Sequence, residues 1–255
     1  MSGISDPTVR SILELGKQVY VAVAAPAGPH VTPELYSVAD GRLWFWTAHT
    51  TVKAKTLAED QRIGAVVVGR GRSVVLHGRA ERFDPKDLAS LPRAIRQPRA
   101  IGRAAVRFGL RNAADLGAFA TDFVSGRLGR SLPPRRVLFG IHVDEAHVVD
   151  GPPSGGAEDA VIAWETDGGP RAFPCRVERG ERKLWLRTEL PGIAALPSPA
   201  RVGVVLDDYV APGPAAKRGT LLRGTATLDP TDGSVDLVPE RTTAWQGVAT
   251  ATRKR

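Results

Sequence analysis

The stretch "GPHVTPELYSVADGRLWFWT", residues 28 to 47, recurs in the second half of the chain as "GPRAFPCRVERGERKLWLRT", residues 169 to 188. The constant offset is 141 residues, and residue types such as Gly28, Pro29 and Trp44 are kept. Further blocks follow in the same order: "RIGAVV" (62 to 67) with "RVGVVL" (201 to 206), and "LHGRAERFDP" (76 to 85) with "LRGTATLDP" (222 to 230). Because several blocks repeat in one order, the sequence predicts a duplicated unit.

Each unit is predicted to be mainly β. Runs such as "VYVAVAA", "LWFWT", "IGAVVV" and "SVVLHGRAERF" are short and rich in Val, aromatic and alternating residues, and Gly, Pro and Asp turns separate them. Short strands at this spacing favour a barrel or a sandwich. We place the first unit at residues 1–150 and the second at 157–255, divided by "GPPSGGAED" (151 to 159), which has the composition of a linker.

The first unit carries a helical insertion, residues 85–134, that the second lacks. Ser5 or Asp6 is expected to cap a short helix near the N-terminus, whereas Pro98 and Asn112 are expected to begin helices within the insertion. The helix after Pro98 bears Arg99, Arg103 and Arg107 at four-residue steps. Three interpretations remain open: a solvated arginine face, a lid or groove wall that attracts an anionic ligand, and a nucleic-acid or lipid surface.

Composition excludes several classes of protein. The chain of 255 residues has a net charge of +8 and one cysteine, so it has no internal disulfide and no cysteine zinc pattern. Residues 82–136 hold eleven Arg and one Lys against four Asp, which accounts for the whole net charge. No export signal or long apolar run is present, so we expect a cytoplasmic protein with no membrane partner.

A phosphate-binding segment is predicted after the strand "LWFWT". In "TTVKAKTLAED" (50 to 60), Thr50 or Thr51 is placed to cap a helix, and Lys53 and Lys55 follow in its first turn. Free amides, hydroxyls and ammonium groups at a helix start are the donors that a phosphate monoester requires. The alternative is a pair of solvated lysines with no ligand.

This pattern resembles the flavin-binding split-barrel family typified by pyridoxamine 5'-phosphate oxidase and by flavin and deazaflavin oxidoreductases. The resemblance covers residues 18 to 84 well and 137 to 150 passably. It implies tandem split β-barrels, with Thr50, Thr51, Lys53 and Lys55 around the cofactor phosphate. It also places Trp46, Thr47 and the strand residues Thr32, Pro33 and Glu34 beside the isoalloxazine or deazaflavin ring. The implied cofactor is FMN, with a deazaflavin coenzyme as the alternative.

The second unit is expected to have lost this site. Its counterpart of "AHTTVKAKTLAEDQ" is "ELPGIAALPSPA" (189 to 200), which contains prolines and no lysine. Because family members bind the flavin between two identical barrels, the resemblance implies a pseudo-dimer within one chain, in which the second unit supplies a wall. We expect either a monomeric pseudo-dimer with one cofactor or a homodimer that pairs through the first units.

The predicted activity is hydride transfer to or from a small organic substrate. A flavin or deazaflavin carries out this chemistry itself, so no charged catalytic residue is nominated. His30, His49 and His77 have no metal-ligand spacing, and no metal site is expected. Two alternatives remain: a non-catalytic flavin or haem carrier on the same fold, and a binder of nucleic acid or another polyanion, although we expect no nucleic-acid partner.

Overall fold

A computed structural model of the chain describes the following residues: 3–69, 71–87, 90–125, 135–150, 158–179, 184–187, 196–209, 212–213, 217–229, 234–246 and 249–254. They form two antiparallel seven-stranded sheets, one from each half of the chain. Residues 151–157 of the predicted linker and residues 126–134 at the end of the insertion lie outside this part of the chain. The last two residues of the predicted linker, 158 and 159, instead begin a strand.

The first sheet, called here the first barrel, has the strand order β2-β1-β5-β6-β7-β4-β3. Strands β2 and β3 form its edges. The strands are β1 (Val19–Ala25), β2 (Gly28–Glu34), β3 (Tyr36–Ala39), β4 (Arg42–Ala48), β5 (Arg62–Val68), β6 (Arg72–Phe83) and β7 (Arg136–Asp150).

The second sheet, the second barrel, runs β10-β9-β8-β11-β12-β13-β14, and a further pairing of β10 with β13 closes six strands into a ring. The strands are β8 (Glu158–Thr166), β9 (Gly169–Arg179), β10 (Leu184–Arg187), β11 (Ala200–Tyr209), β12 (Lys217–Leu228), β13 (Val235–Gln246) and β14 (Ala249–Lys254). The predicted tandem β-barrel architecture is therefore confirmed.

Strands β1 and β5 are apolar on both faces because both faces are buried. Val21 and Ile63 point into the core of the first barrel, whereas Ala22 and Val66 pack against Val161 and other residues of the second barrel. We call this contact between the two sheets the seam. Continuous apolar runs are the expected signature of strands covered on both sides.

The contacts across the seam are reciprocal. Strand β5 packs on β9, and the equivalent β11 packs on β2. The Nη1 of Arg62 donates to the carbonyl oxygen of Asp167 at 3.0 Å, and the Nη2 of Arg201 donates to that of Ala27 at 3.2 Å. The two halves therefore meet with approximate twofold symmetry, as two copies of a dimeric barrel would.

Five helices cover the first barrel in the described residues: α1 (Pro7–Leu15), α2 (Val52–Glu59), α3 (Leu91–Arg96), α4 (Pro98–Arg111) and α5 (Ala113–Val124). Asp6 caps α1, since its carboxylate accepts from the amides of Thr8 and Val9. As expected, α5 begins directly after Asn112, but the side-chain amide of Asn112 donates to the carbonyls of Tyr36 and Phe108 and does not cap the helix. No helix among the described residues is long and apolar enough to cross a membrane.

Candidate functional site

A cavity of about 610 Å³ lies where the first barrel, the inserted helices and the second barrel meet. Its walls come from β2, β4, the start of α2, and helices α4 and α5, and the second barrel closes one side with residues of β12 and β13. The lining residues are Gln18, Thr32, Pro33, Glu34, Leu35, Trp46, Lys53, Ala105, Phe108, Gly109, Asp115, Leu116, Phe119, Arg136, Lys217 and Trp245.

The structure brings together five of the nine residues nominated from the sequence. Those lining the cavity are Thr32, Pro33, Glu34, Trp46 and Lys53. Thr47 is buried beneath the start of α2, whereas Thr50 and Lys55 are exposed to solvent, and none of these three contributes to the lining.

Lys53 is held by an ion pair on the cavity wall. Its Nζ lies 2.7 Å from Oε1 of Glu34, with 4% and 16% of the respective side chains exposed. The same ammonium donates to the hydroxyl of Thr32. Strand β2 places Thr32 and Glu34 on one face because side chains alternate along a strand. Lys53 therefore lines the cavity with its positive charge already compensated by Glu34.

Lys53 and Lys55 do not act as a pair, which corrects the expectation that both surround one phosphate. They are two positions apart on α2, so their side chains leave the helix in nearly opposite directions. Thr51 is also occupied: its hydroxyl accepts from the amide of Ala54 and donates to the carbonyl of Ala48. It thereby performs the capping predicted for the start of α2.

Aromatic rings form the apolar end of the cavity. The indole of Trp46 packs edge-on against the ring of Phe108, with centroids 4.3 Å apart. Trp245 of the second barrel lies over Gly219, where a Cβ would come within 2.3 Å of the indole. By contrast, Trp44 is fully buried in the core under α4. The side chain of Trp185, its counterpart, lies outside the described residues.

Three cations border the cavity, and two of them face carboxylates. Lys53 pairs with Glu34, and the Nζ of Lys217 lies 3.5 Å from Oδ1 of Asp115. Arg136 is exposed and has its guanidinium 5.9 Å from the ring centroid of Phe119. Within the described part of the chain, Arg136 is therefore the cavity cation without a carboxylate partner.

The arginines of α4 hold that helix to the first barrel. Arg103 bonds the carboxylate of Asp40 at 2.9 Å, and Arg107 donates to the carbonyl of Val38 at 3.0 Å. Arg111 reaches the end of α1 and stacks over Tyr36. The cavity instead meets the opposite, less polar side of α4, at Ala105, Phe108 and Gly109. None of the arginines on α4 lines the cavity.

The three histidines weighed as ligands lie apart from one another. His30 of β2 contacts Arg223 of β12, and burial together with the charges of Lys53 and Arg223 lowers the pKa of His30 to about 3. His49 bonds the carbonyl oxygen of Arg135. No three His, Cys, Asp or Glu side chains in the described ranges converge as metal ligands. The buried thiol of Cys175 has a pKa raised by burial, which leaves it protonated.

Residues 5–127 match a family model described as pyridoxamine 5'-phosphate oxidase. The match spans most of the first barrel, which therefore resembles the flavin-binding split-barrel family. No curated protein matches the chain.

Three solved structures are similar in part. A conserved hypothetical protein of Mycobacterium tuberculosis is 20% identical, with 60% of this chain and 92% of that chain covered and a TM-score of 0.42. An FAD-binding protein of Mesorhizobium loti is 17% identical, with 56% and 91% covered and a TM-score of 0.36. An F420 reductase is 15% identical, with 54% and 94% covered and a TM-score of 0.35.

Sequence reasoning missed the cavity residues contributed by the insertion and by the second barrel. Phe108 was not nominated as a site residue, and Arg136 was noted only as part of a basic segment. Lys217 and Trp245 gave no local signal, since their position depends on how the two sheets meet. Trp245 offered one clue, because the equivalent end of the first unit, "HVVDG" (147 to 151), has no aromatic residue.

Proposed function

We propose that the chain is a flavin- or deazaflavin-dependent oxidoreductase whose cofactor ring occupies the cavity beside β2 and β4. The observation that carries the proposal is the position of Thr32, Pro33, Glu34 and Trp46, nominated by the resemblance, on one wall of a single cavity. The volume of about 610 Å³ lies within the range of about 300–1,000 Å³ usual for small-molecule and cofactor sites.

The lining suits a flat heteroaromatic ring. Trp46, Phe108 and Phe119 offer apolar contact area, and the Glu34–Lys53 pair offers an acceptor and a donor side by side. A ring whose edge carries both an N–H and a carbonyl would bond both partners without adding net charge to the wall. Charge compensation of Lys53 therefore favours recognition of the neutral ring edge by this pair, in place of the phosphate first assigned to it.

Arg136, near the start of α2, is the better candidate to bind the cofactor phosphate. Arg136 pairs in register with Ala48, the last residue of β4, so its backbone lies beside the turn that leads to Thr51 and α2. The guanidinium has no carboxylate partner in the described ranges and borders the cavity. A phosphate there would meet one free cation and the positive end of a helix.

The bound cofactor supplies hydride transfer, and the protein supplies binding, orientation and exclusion of water. In this arrangement the inserted helices α4 and α5 shield one side of the cavity, and Trp245 shields another. The remaining space next to the ring would admit a small, conjugated substrate. No ionisable side chain is assigned a proton-transfer step.

The first experiment is reconstitution with FMN and, separately, with a deazaflavin coenzyme, followed by absorption spectroscopy of the desalted protein. Binding of one of them at one equivalent per chain is expected. Trp46→Leu should weaken binding, because it removes the aromatic wall, whereas Trp44→Phe in the core serves as a control for general damage. Retention of neither cofactor would overturn the proposal.

Turnover separates an enzyme from a carrier on the same fold. The reconstituted protein is reduced with dithionite and mixed without oxygen with quinone acceptors. Reoxidation faster than that of the free reduced cofactor supports an oxidoreductase. Tight binding without acceleration supports the non-catalytic flavin carrier, and a Soret band after exposure to haem supports the haem carrier.

We also propose that one chain forms the complete unit, a pseudo-dimer with one site. The reciprocal seam occupies the faces of β1 and β5 that a second copy would otherwise cover. Native mass spectrometry of the reconstituted protein should give one cofactor and one chain. Two chains would support the homodimer, and two cofactors per chain would contradict loss of the second site.

A further inference from the structure

Two side-chain clusters occupy equivalent places on the seam. The first consists of Arg171 on β9 with His77 and Glu145 on the adjacent strands β6 and β7. The second consists of His30 on β2 with Arg223 and Arg241 on β12 and β13. His30 and Arg171 are related by the 141-residue offset of the repeat. His77 and Arg223 each immediately precede the register shift of their strand pair, and Glu145 and Arg241 are their cross-strand partners.

The first cluster is balanced in charge. The Nη1 of Arg171 lies 3.2 Å from Oε2 of Glu145. This bond to Arg171 lowers the pKa of Glu145 despite partial desolvation, so the carboxylate is ionised at neutral pH. A cation and an anion thus face each other at this end of the seam, and His77 is the cross-strand partner of Glu145.

The second cluster contains only cations and a neutral imidazole. Arg241 replaces the carboxylate and stands directly opposite Arg223. Arg223 donates to Nδ1 of His30, but the Nε atoms of both arginines are buried without a hydrogen-bond partner in the described residues. The nearby carboxylate of Glu240 is exposed and accepts a hydrogen bond from Thr225 at 2.9 Å.

This arrangement costs free energy in the isolated chain. Like charges directly opposite each other on neighbouring strands are destabilising. Burial and the charges of Arg241 and Arg201 lower the pKa of the Arg223 guanidinium, which reflects the same repulsion. Arg201 of β11 adds a third positive charge at the exposed edge of the cluster.

We propose that Arg223 and Arg241 form a binding site for an oxyanion such as phosphate, with Arg201 at its rim. Two guanidinium groups side by side present forked donors that match the geometry of an oxyanion. An anion bound there would compensate the positive charges of the arginines, as Glu145 compensates that of Arg171 in the first cluster. The site is separate from the proposed cofactor site, because none of these arginines lines the cavity.

The test uses inorganic phosphate as the probe and Arg241→Glu as the decisive variant, since this change recreates the charge pattern of the first cluster. Calorimetric titrations and thermal unfolding are run at constant ionic strength, with sodium chloride replacing phosphate. The wild-type chain is expected to bind phosphate and to be stabilised by it. Arg241→Glu is expected to bind phosphate at least tenfold more weakly, and to unfold at an equal or higher temperature without phosphate.

Further variants make the outcome decisive. Arg99→Glu, on the exposed side of α4, changes the net charge equally and should bind phosphate like the wild type. Should Arg241→Glu fail to fold, Arg241→Gln removes one cation with less perturbation. The proposal is overturned if phosphate affects the wild type no more than chloride does, or if the Arg241 variants respond like the wild type.

A second titration identifies the source of the oxyanion. If phosphate itself binds, the site serves a free anion. If ADP binds through Arg241 and phosphate alone binds more than tenfold more weakly, the oxyanion is the end of a larger ligand. Both results support the site and are independent of whether the cavity holds a flavin.

Discussion

Gly64 and Gly203 lie at equivalent points on the two sides of the seam, and each faces backbone of the opposite barrel. A Cβ on Gly64 would lie 2.6 Å from the carbonyl oxygen of Pro170, and a Cβ on Gly203 would lie 2.6 Å from that of Pro29. Only glycine allows the strands to approach this closely. The two sheets therefore fit together through the same contact made twice.

The Gly64→Ala and Gly203→Ala variants should each be destabilised by about 1–3 kcal/mol, because backbone must move to admit the new methyl group. Urea denaturation would measure the loss. Gly102→Ala, on α4 where nothing lies within 4 Å of the added Cβ, is the matched control and should be stabilised by up to ~1 kcal/mol. Wild-type stability of both seam variants would contradict a tight seam.

Lys53→Met should destabilise the chain by about 3 kcal/mol, since it leaves the carboxylate of Glu34 without its partner in a mostly buried position. The double variant Lys53→Met with Glu34→Gln should recover most of that loss. A double-mutant cycle from urea denaturation gives the coupling free energy. A negligible coupling would mean that the ammonium is free to serve another group.

Arg136→Ala should weaken FMN about tenfold while leaving riboflavin affinity unchanged, because the expected loss is one charge-assisted hydrogen bond to phosphate. Lys55→Ala is the control from the same region, and its exposed side chain should contribute little to either ligand. Fluorescence titration would measure both affinities. If Lys55→Ala weakens FMN and Arg136→Ala does not, the phosphate lies on the outer face of α2.

The His30→Asn variant should make stability less dependent on pH between about 6.5 and 3. The imidazole of His30 stays neutral in the folded chain down to a pKa of about 3, but it binds a proton near pH 6.5 once unfolded. Folding is therefore opposed increasingly as the pH falls through this interval. Comparing unfolding free energies at pH 7 and pH 4.5 tests this, and an identical slope in variant and wild type would contradict it.

Much of the first barrel was predictable because its signals are local. The apolar runs gave β1 and β5, Pro98 marked the start of α4, and Thr51 marked the start of α2. Within the predicted site, strand alternation was enough to place Thr32 and Glu34 on one face. These features depend on neighbouring residues in the chain, so the printed sequence contains the information needed.

Which side chains form ion pairs and hydrogen bonds with one another was not predictable in the same way. Lys53 was expected to bind a phosphate, but in the structure it forms an ion pair with Glu34 of β2. The sequence left three interpretations open for the arginines of α4. In the structure, Arg103 bonds the carboxylate of Asp40 and Arg107 donates to the carbonyl of Val38. Each outcome depends on an acceptor distant in sequence, whose position only the packed sheet fixes.

By itself, the sequence predicted two similar β units and a segment that resembles the phosphate-binding segment of the flavin-binding split barrels, because block repeats, strand periodicity and helix capping depend on residues that are neighbours in the chain. Only the tertiary structure decided which groups the charged side chains contact. The meeting of the two barrels places Glu145 next to Arg171, whereas the register of β12 with β13 places Arg241 opposite Arg223, and neither pairing can be read from residues that are neighbours in the chain.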